Sequence, residues 1–586
     1  MGPLIRLRRA CSAGHHLSPV SSVRLCSSSL VLPLGGFSQR KRSQHFSRNL
    51  IMSTLLRRSQ SASLFFIRGF IFLALIVTGN AMAGYQYQDG LRINSHDGVR
   101  LAASVFTPND ANFGNPAPAV VFINSWALEH HEYLLQAAKL ADKGYVVLSY
   151  ATRGFGVSGG LVNVAGPDDI KDARAVVDWL LANTPTDPSR IGIAGISYGG
   201  GISLLAAAND ERLSAVVAMS GWADLSASLY GGNTPDMVFG GILVGAGYLT
   251  GRMDPIIATM YGNLLRHQNI PETLAWAGQR SPQTVIDALN ARGVPIYISH
   301  NFRDELFEPN ASMRFFSELT GPKKLDLNLG NHATAELGGL FGLRNHVWSN
   351  VQRWFDQWLR GQDTGILDEK PVSMAVKLDQ QRDEFLSWPS AEVQNKAFYL
   401  SPRGWFSNGD LRTSPNNDYG NNTFNSGLLS GATAGIPVIS STFEAHLQAP
   451  IVSFIPGINR TLALVYESNR FNETQRIRGA PTLSLWLRPS NERFQTIAYL
   501  YDLDNWGFGT LITHGPVTVL DAVPGQDRQV QIELIATAYD LPAGHRLALA
   551  IDTADPQYSP PTLGFYQLTV PYSGSRQSRL VVPVRE

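Results

Sequence analysis

The sequence predicts an α/β protein built on a parallel sheet, interrupted by a helical insertion and followed by an all-β sandwich. Three observations carry that expectation. Apolar strand-like runs alternate with amphipathic stretches over residues 84–221 and again over 294–370, the rhythm of βαβ units. Residues 222–293 lose that rhythm and become Gly-, Met- and Tyr-rich with helical patches, as a cap inserted over a sheet would. Over 371–586 apolar residues alternate with period two between Gly, Pro, Asn and Asp clusters, the pattern of packed antiparallel strands.

Taken in order, residues 85–108 read as two strands around Asp97-Gly98, a hairpin turn. Next come a buried strand at 119–123, a helix at 133–143 and a strand at 145–150. Residues 168–181 form an amphipathic helix with Ile170, Ala173, Val176, Val177 and Leu180 on one face. A strand at 190–194, a small-residue helix at 199–208 and a strand at 215–219 complete the first block. Inside the insertion, 255–265 and 284–291 have helical spacing. The α/β rhythm resumes with a strand at 295–299, a helix at 311–319, a strand at 325–329 and a helix at 347–360. The clearest later strands are 483–487, 496–500, 530–534 and 547–551, and the Asn-, Gly- and Ser-rich 415–434 is the stretch expected to be most flexible.

At 586 residues the chain has room for about three domains. Its 44% hydrophobic content excludes wholesale disorder, and 16% charged residues with 54 Gly and 33 Pro argue against a coiled coil or a helical array. The formal charge of +1 hides an asymmetry. Residues 1–83 hold eleven Arg and Lys, both cysteines (Cys11 and Cys26) and no acidic residue. Within them Met52 opens a segment laid out as a secretory signal: Arg57, Arg58 and Arg68, an apolar run at 70–77, and Ala81-Met82-Ala83 as a cleavage site. That run is short for a transmembrane helix. The expectation is an exported, periplasmic or secreted protein, with 52–83 its signal peptide and 1–51 an extension upstream of the true start; an organelle transit peptide is the competing reading. Residues 84–586 carry 37 basic and 47 acidic side chains and no cysteine. Disulfides, a thiol nucleophile and cysteine-based zinc are thereby excluded, and nucleic acid is disfavoured as a partner. No cofactor is expected, and the oligomeric state, homo-oligomer included, stays open.

The strongest local signal is Gly195-Ile196-Ser197-Tyr198-Gly199. It lies between the strand ending at Ala194 and the helix opening near Gly199, the strand–turn–helix setting that exposes a G-x-S-x-G serine. The helix N-terminus would aim free N–H groups at a reacting oxyanion. A second match, Gly156-Val157-Ser158-Gly159-Gly160, lacks that setting, and Ser158 reads as loop. A serine needs a base, and the base an orienting acid; here both should follow the serine in the order acid then histidine, each after a strand. Asp304 follows the 295–299 strand, and His332 follows the 325–329 strand in Gly330-Asn331-His332. Asp224 is the reserve acid and His346 the reserve base. The Tyr198 N–H is one expected oxyanion donor. Trp126, after the 119–123 strand, is the second, through its backbone N–H or its indole, with a packed loop tryptophan as the alternative.

Glu129 and Glu132 are the carboxylates near that loop on offer to a substrate amine. His130-His131 between them is not expected to bind metal, because adjacent histidines point apart on a regular element and no third ligand is suitably spaced. Trp506, Phe508 and Tyr499 offer a sugar platform, although core packing explains them better.

Several motifs together resemble the X-Pro dipeptidyl-peptidase and cocaine-esterase (CocE/NonD) group of serine hydrolases. They are Arg153-Gly154-Phe155-Gly156-Val157-Ser158-Gly159-Gly160, the run from Asp187 through Ser197 to Gly200, Gly330-Asn331-His332, Trp354-Phe355-Asp356-Gln357-Trp358-Leu359-Arg360-Gly361, and Leu541-Pro542-Ala543-Gly544-His545-Arg546-Leu547. The resemblance spans roughly residues 90–583. It implies an α/β-hydrolase domain, a helical cap and a C-terminal jelly roll around one site, with Ser197 as nucleophile, His332 as base and Asp304 as its orienter. Two departures stand out. Trp126 occupies the place where relatives often have a Tyr that helps hold the oxyanion, and Ala151-Thr152 replace an Asp common before the Arg-Gly-x-Gly loop. The expected function is a serine hydrolase cleaving acyl ester, amide or peptide bonds through an acyl-enzyme. The alternative is a non-catalytic carbohydrate- or partner-binding protein on a hydrolase scaffold.

Overall fold

A computed structural model describes residues 84–586 apart from 110–115, 380, 405–406, 416 and 428. The signal-peptide assignment therefore lies outside the described residues. Among the described residues, ten strands make the first sheet: β1 (Tyr85–Asn94), β2 (Arg100–Pro108), β3 (Ala117–Ile123), β4 (Val146–Tyr150), β5 (Thr186–Ile196), β6 (Leu213–Met219), β7 (Ile296–Asn301), β8 (Lys323–Asn328), β9 (Val372–Ala375) and β10 (Arg382–Phe385). Their spatial order is β1-β2-β4-β3-β5-β6-β7-β8-β9-β10. Pairing is parallel from β4 across to β9 and antiparallel at both margins. β3 and β4 are buried along their whole length because helices cover both faces. Val120 and Phe122 pack on one side with the helix His346–Arg360, and Val121 and Ile123 on the other with the helix Pro167–Asn183.

Register decides where the chemistry collects. Ile123 lies opposite both Tyr150 and Gly195, Ile196 opposite Met219, and Asn301 opposite Asn328. The loops leaving β3, β5, β7 and β8 thus emerge at one edge, the carboxyl ends of the parallel strands. The sheet continues past residue 370, where the sequence reading ended the α/β layer, because β9 and β10 add to it beside β8.

The insertion contains the helices Leu225–Tyr230, Met237–Thr250, Pro255–Arg266, Ile270–Gly278 and Ile286–Arg292. Met237–Thr250 escapes periodicity analysis because its glycines and continuous apolar run leave no polar face to count. Among its described residues the C-terminal domain is all-β apart from one α-helix, with fourteen strands from β11 (Val393–Leu400) to β24 (Arg579–Arg585). That helix, Ile439–Leu447, was not expected. It leans back on the α/β layer: Val438 N–H donates to Glu305 Oε2 at 2.9 Å, Lys377 Nζ pairs with Glu444 at 2.9 Å, and Arg303 donates to the Ala434 carbonyl at 3.0 Å. The polar stretch before it is tied down as well. Thr433 N–H donates to the Tyr501 hydroxyl at 2.9 Å and Ala434 N–H to Asp555 at 3.0 Å, so that end of the segment expected to be most flexible is held by tertiary bonds. No described helix is long and apolar enough to cross a membrane.

Candidate active site

β5 delivers Ser197 into a turn with φ 55° and ψ −113°, a strained conformation for a residue with a side chain. The flanking glycines make the turn feasible. A Cβ on Gly195 would sit 2.4 Å from the Gly199 carbonyl carbon, and one on Gly199 would sit 2.1 Å from the Ile123 oxygen. Backbone bonds on either side hold the strain: Ser197 N–H donates to Met219 O at 2.7 Å, and Ile196 N–H to the Tyr133 hydroxyl at 2.9 Å. The helix Tyr198–Asn209 starts at the next residue, so its first N–H groups have no intrahelical acceptor.

Two loops meet that serine. His332 Nε2 lies 2.7 Å from Ser197 Oγ, and His332 Nδ1 lies 2.8 Å from Asp304 Oδ2. Asp304 is fully buried, and its other oxygen accepts from the N–H groups of Leu306 at 3.0 Å and Phe307 at 2.8 Å. With Oδ2 ionised, Nδ1 carries the imidazole proton and Nε2 presents a lone pair to the serine hydroxyl. Asn331 fixes the two loops to each other, its Oδ1 accepting from Glu305 N–H at 3.2 Å and His332 N–H at 2.7 Å. Phe307 stands edge-on to the imidazole, with ring centres 5.2 Å apart. Burial opposes protonation of His332, but the Asp304 charge and hydrogen bond, with the Glu336 charge behind them, outweigh it and raise the pKa above the usual histidine value.

The oxyanion region departs from the sequence reading in one respect. The Trp126 indole is committed to the Leu243 carbonyl on the cap at 2.8 Å, which removes it as a donor to substrate and leaves its backbone N–H as the remaining offer from that loop. The Tyr198 hydroxyl is likewise occupied, donating to Asp169 at 3.1 Å and accepting from Ala165 N–H at 3.0 Å.

Glu132 has a job the sequence did not disclose. Its carboxylate accepts from Ser125 N–H at 2.7 Å and from Ser125 Oγ at 2.6 Å, while Ser125 Oγ also reaches the Ile196 carbonyl at 3.2 Å. Burial pushes the Glu132 carboxyl up to about 7 against the pull of these bonds. Glu132 thus pins the loop carrying Trp126, and neighbouring Tyr133 pins the residue before Ser197. Glu132→Ala is expected to lower kcat by about 10²-fold, the scale of losing one oxyanion donor, with KM little changed and Glu132→Gln recovering most of the loss. Equal losses in the two variants would assign the carboxylate another role. Glu129 pairs with His131 at 3.4 Å; neither glutamate is among the residues lining the cleft at Ser197.

The reserve residues lie elsewhere. Asp224 caps the helix Leu225–Tyr230 by accepting from Ser226 N–H and Ala227 N–H. His346 bonds Asp326 at 3.1 Å. Ser158 is a buried loop staple, donating to Ala151 O at 2.6 Å and accepting from Ala102 N–H at 2.8 Å. Arg153, in the same loop, forms a bidentate pair with Asp172, both bonds 2.7 Å. The expectation that His130 and His131 diverge is wrong. On the short 3₁₀ turn His130–Tyr133 their rings lie 3.9 Å apart, and both reach Asp89, at 3.2 and 3.1 Å; the sequence reading missed this third group because a hairpin strand supplies it. The aromatic trio is dispersed: Tyr499 is core, stacked beside Tyr501 and His514, whereas Trp506 is 83% exposed and Phe508 packs on Phe454.

Ser197 opens into a cleft between the sheet edge and the cap, walled by Trp126, Trp222, Leu243, Ile257, Met260 and Phe307 among others. The arrangement supplies a hydroxyl with a general base at hydrogen-bond distance, a buried acid orienting that base, and backbone donors at a helix start.

Comparison with known proteins agrees with this construction. The family model described as X-Pro dipeptidyl-peptidase (S15 family) matches residues 97–334, and that of the X-Pro dipeptidyl-peptidase C-terminal non-catalytic domain matches residues 364–581. A putative Xaa-Pro dipeptidyl-peptidase of Streptomyces avermitilis is 24% identical over 488 residues, covering 72% of this chain and 69% of that protein. One from Bacillus anthracis is 22% identical over 460 residues, covering 71% and 70%. Among solved structures, an α-amino acid ester hydrolase superposes with a TM-score of 0.69 at 17% identity, over 87% of this chain and 98% of its own. A CocE/NonD family hydrolase from Staphylococcus aureus gives 0.66 at 13% identity, over 85% and 94%. These structures share the fold. Since the catalytic and C-terminal models of one enzyme family match residues 97–334 and 364–581, together more than half of the chain, it belongs to the X-Pro dipeptidyl-peptidase (S15) family of serine hydrolases.

Proposed function

We propose that Ser197 is the nucleophile that cleaves acyl ester or amide bonds in two half-reactions through a covalent acyl-enzyme. His332 Nε2 takes the hydroxyl proton as Oγ attacks the carbonyl carbon, then returns it to the leaving alcohol or amine. The Tyr198 and Trp126 N–H groups receive the charge that develops on the carbonyl oxygen. Water enters by the same route in reverse and releases the acid. Asp304 keeps the proton on Nδ1 throughout and stabilises the imidazolium that forms. The observation that carries this reading is the unbroken relay from Ser197 Oγ through His332 to Asp304, at 2.7 and 2.8 Å. A fluorophosphonate should label Ser197 stoichiometrically and abolish ester turnover in step with labelling. An unlabelled serine under conditions that label an unrelated serine esterase would favour a binding protein on a hydrolase scaffold.

We also propose export, supported by the acid-free basic leader and the Ala81-Met82-Ala83 site. Expression of the full chain in a secreting bacterium should yield extracytoplasmic protein beginning at Gly84; an intact leader on cytoplasmic protein would contradict this.

A further inference from the structure

We infer that the acyl subsite beside Ser197 takes a bulky, uncharged, apolar acyl group and disfavours one bearing an α-ammonium. The inference rests on the hydrolase reading above and names the substrate class which that reading leaves open. Apart from His332, which reaches the cleft at the Ser197 hydroxyl, no Asp, Glu, Lys or Arg is among the described residues lining it. Its polar atoms are already spent inside the protein. The Trp126 indole donates to Leu243 O at 2.8 Å, the Trp222 indole to Arg280 O at 2.7 Å, the Tyr261 hydroxyl to Met237 O at 3.0 Å, and the Tyr198 hydroxyl to Asp169 at 3.1 Å. The Ser197 hydroxyl and the backbone donors around it remain to meet a substrate, and they are used by the scissile carbonyl.

An ammonium next to that carbonyl would need a carboxylate to repay its lost hydration. The nearby carboxylates are bonded within the protein or absent from the cleft's lining. Glu132 is held by Ser125 and Glu129 by His131. Asp236 lines a small adjoining cavity that shares Leu229, Gly240, Tyr261 and Leu264 with the cleft, but it is committed to the protein as the cap of the helix Met237–Thr250, one oxygen accepting from Phe239 N–H at 2.9 Å and the other from Gln557 Nε2 at 2.9 Å. Glu305 accepts from Val438 N–H, and neither it nor Glu308 is among the residues lining either cavity. Apolar acyl carbons, by contrast, exchange water for tryptophan, leucine and methionine surface, an advantage of roughly three- to fourfold in binding per buried methylene.

The test uses the whole enzyme with two substrate sets. Along p-nitrophenyl acetate, butyrate, hexanoate and octanoate, kcat/KM is expected to climb by at least about tenfold from first to last. Methyl 3-phenylpropionate should be preferred over phenylalanine methyl ester, which differs only by its α-ammonium at neutral pH, by about 100-fold. Leu243→Trp, which narrows the cleft while keeping the carbonyl that holds Trp126, should lower the octanoate-to-acetate ratio. A flat or falling chain-length series, an aminoacyl ester turned over as fast as its des-amino partner, or an unchanged ratio in Leu243→Trp would each overturn the assignment. Fluorophosphonate labelling run alongside separates the two levels: labelled enzyme with the wrong preference sinks the subsite alone, and unlabelled enzyme sinks the hydrolase reading beneath it.

Discussion

Replacing Ser197 by alanine is expected to lower kcat for an activated ester by about 10⁴- to 10⁶-fold, leaving the residual acceleration that backbone donors and binding supply without a nucleophile. The fold should survive the change. The strained φ of 55° is imposed by the glycine-flanked turn and the backbone bonds at Ile196 and Ser197, none of which involves the hydroxyl. Among the described residues Oγ bonds only His332, so the variant should unfold within a few degrees of the parent while losing fluorophosphonate labelling entirely. Melting temperature and steady-state turnover, measured on one preparation, decide it. A correctly folded Ser197→Ala protein retaining even a few per cent of parental kcat would remove this serine from the chemistry.

Asp304→Asn should cost about 10⁴-fold in kcat, the scale seen when a triad acid is made neutral. One oxygen of the present carboxylate is fixed by the Leu306 and Phe307 N–H groups, so an asparagine keeps its carbonyl there and turns its amide NH₂ toward His332. Nδ1 must then accept, the ring proton moves to Nε2, and the atom facing Ser197 becomes a donor instead of a base. The pH dependence should shift in a defined direction. Burial lowers the His332 pKa, and the Asp304 charge and hydrogen bond more than reverse this. Without them the imidazole stays neutral to lower pH, and the acidic limb of the residual kcat/KM profile moves to lower pH. A limb that stays put or moves upward would show that Asp304 does not govern this histidine.

The parts of the site that could be read from sequence are those fixed by chain order and local turn chemistry. Ser197 is legible because G-x-S-x-G means a nucleophile turn only between a strand and a helix, and β5 and the helix Tyr198–Asn209 provide both. Asp304 and His332 are legible because each follows a parallel strand whose end lies at the same sheet edge as Ser197. Trp126 was only half legible: its position after β3 is local, but its indole partner belongs to a cap helix more than a hundred residues away. Glu132 could be singled out but not understood. Whether it faces substrate or Ser125 depends on the 3₁₀ turn His130–Tyr133 folding its carboxylate back over seven residues. The same turn defeats the rule that kept His130 and His131 apart, since that rule holds for strands and α-helices. β9 and β10 were assigned to the wrong layer because a four-residue strand has the same composition on either side of a domain border.

By itself the sequence determined the alternation that builds a parallel sheet, the chain order Ser197, Asp304, His332 of the residues brought together at its edge, and the period-two alternation of roughly the last two hundred residues, because each is a local periodicity or an ordering along the chain. The tertiary structure alone decided which polar atoms near Ser197 are spent on the protein and which remain for substrate, and hence that its cleft is apolar. Hydrogen bonds between residues distant in sequence or folded back by a turn settle that, as when Leu243 claims the Trp126 indole and Ser125 claims Glu132. Their energies depend on distance and burial, which one-dimensional spacing does not encode.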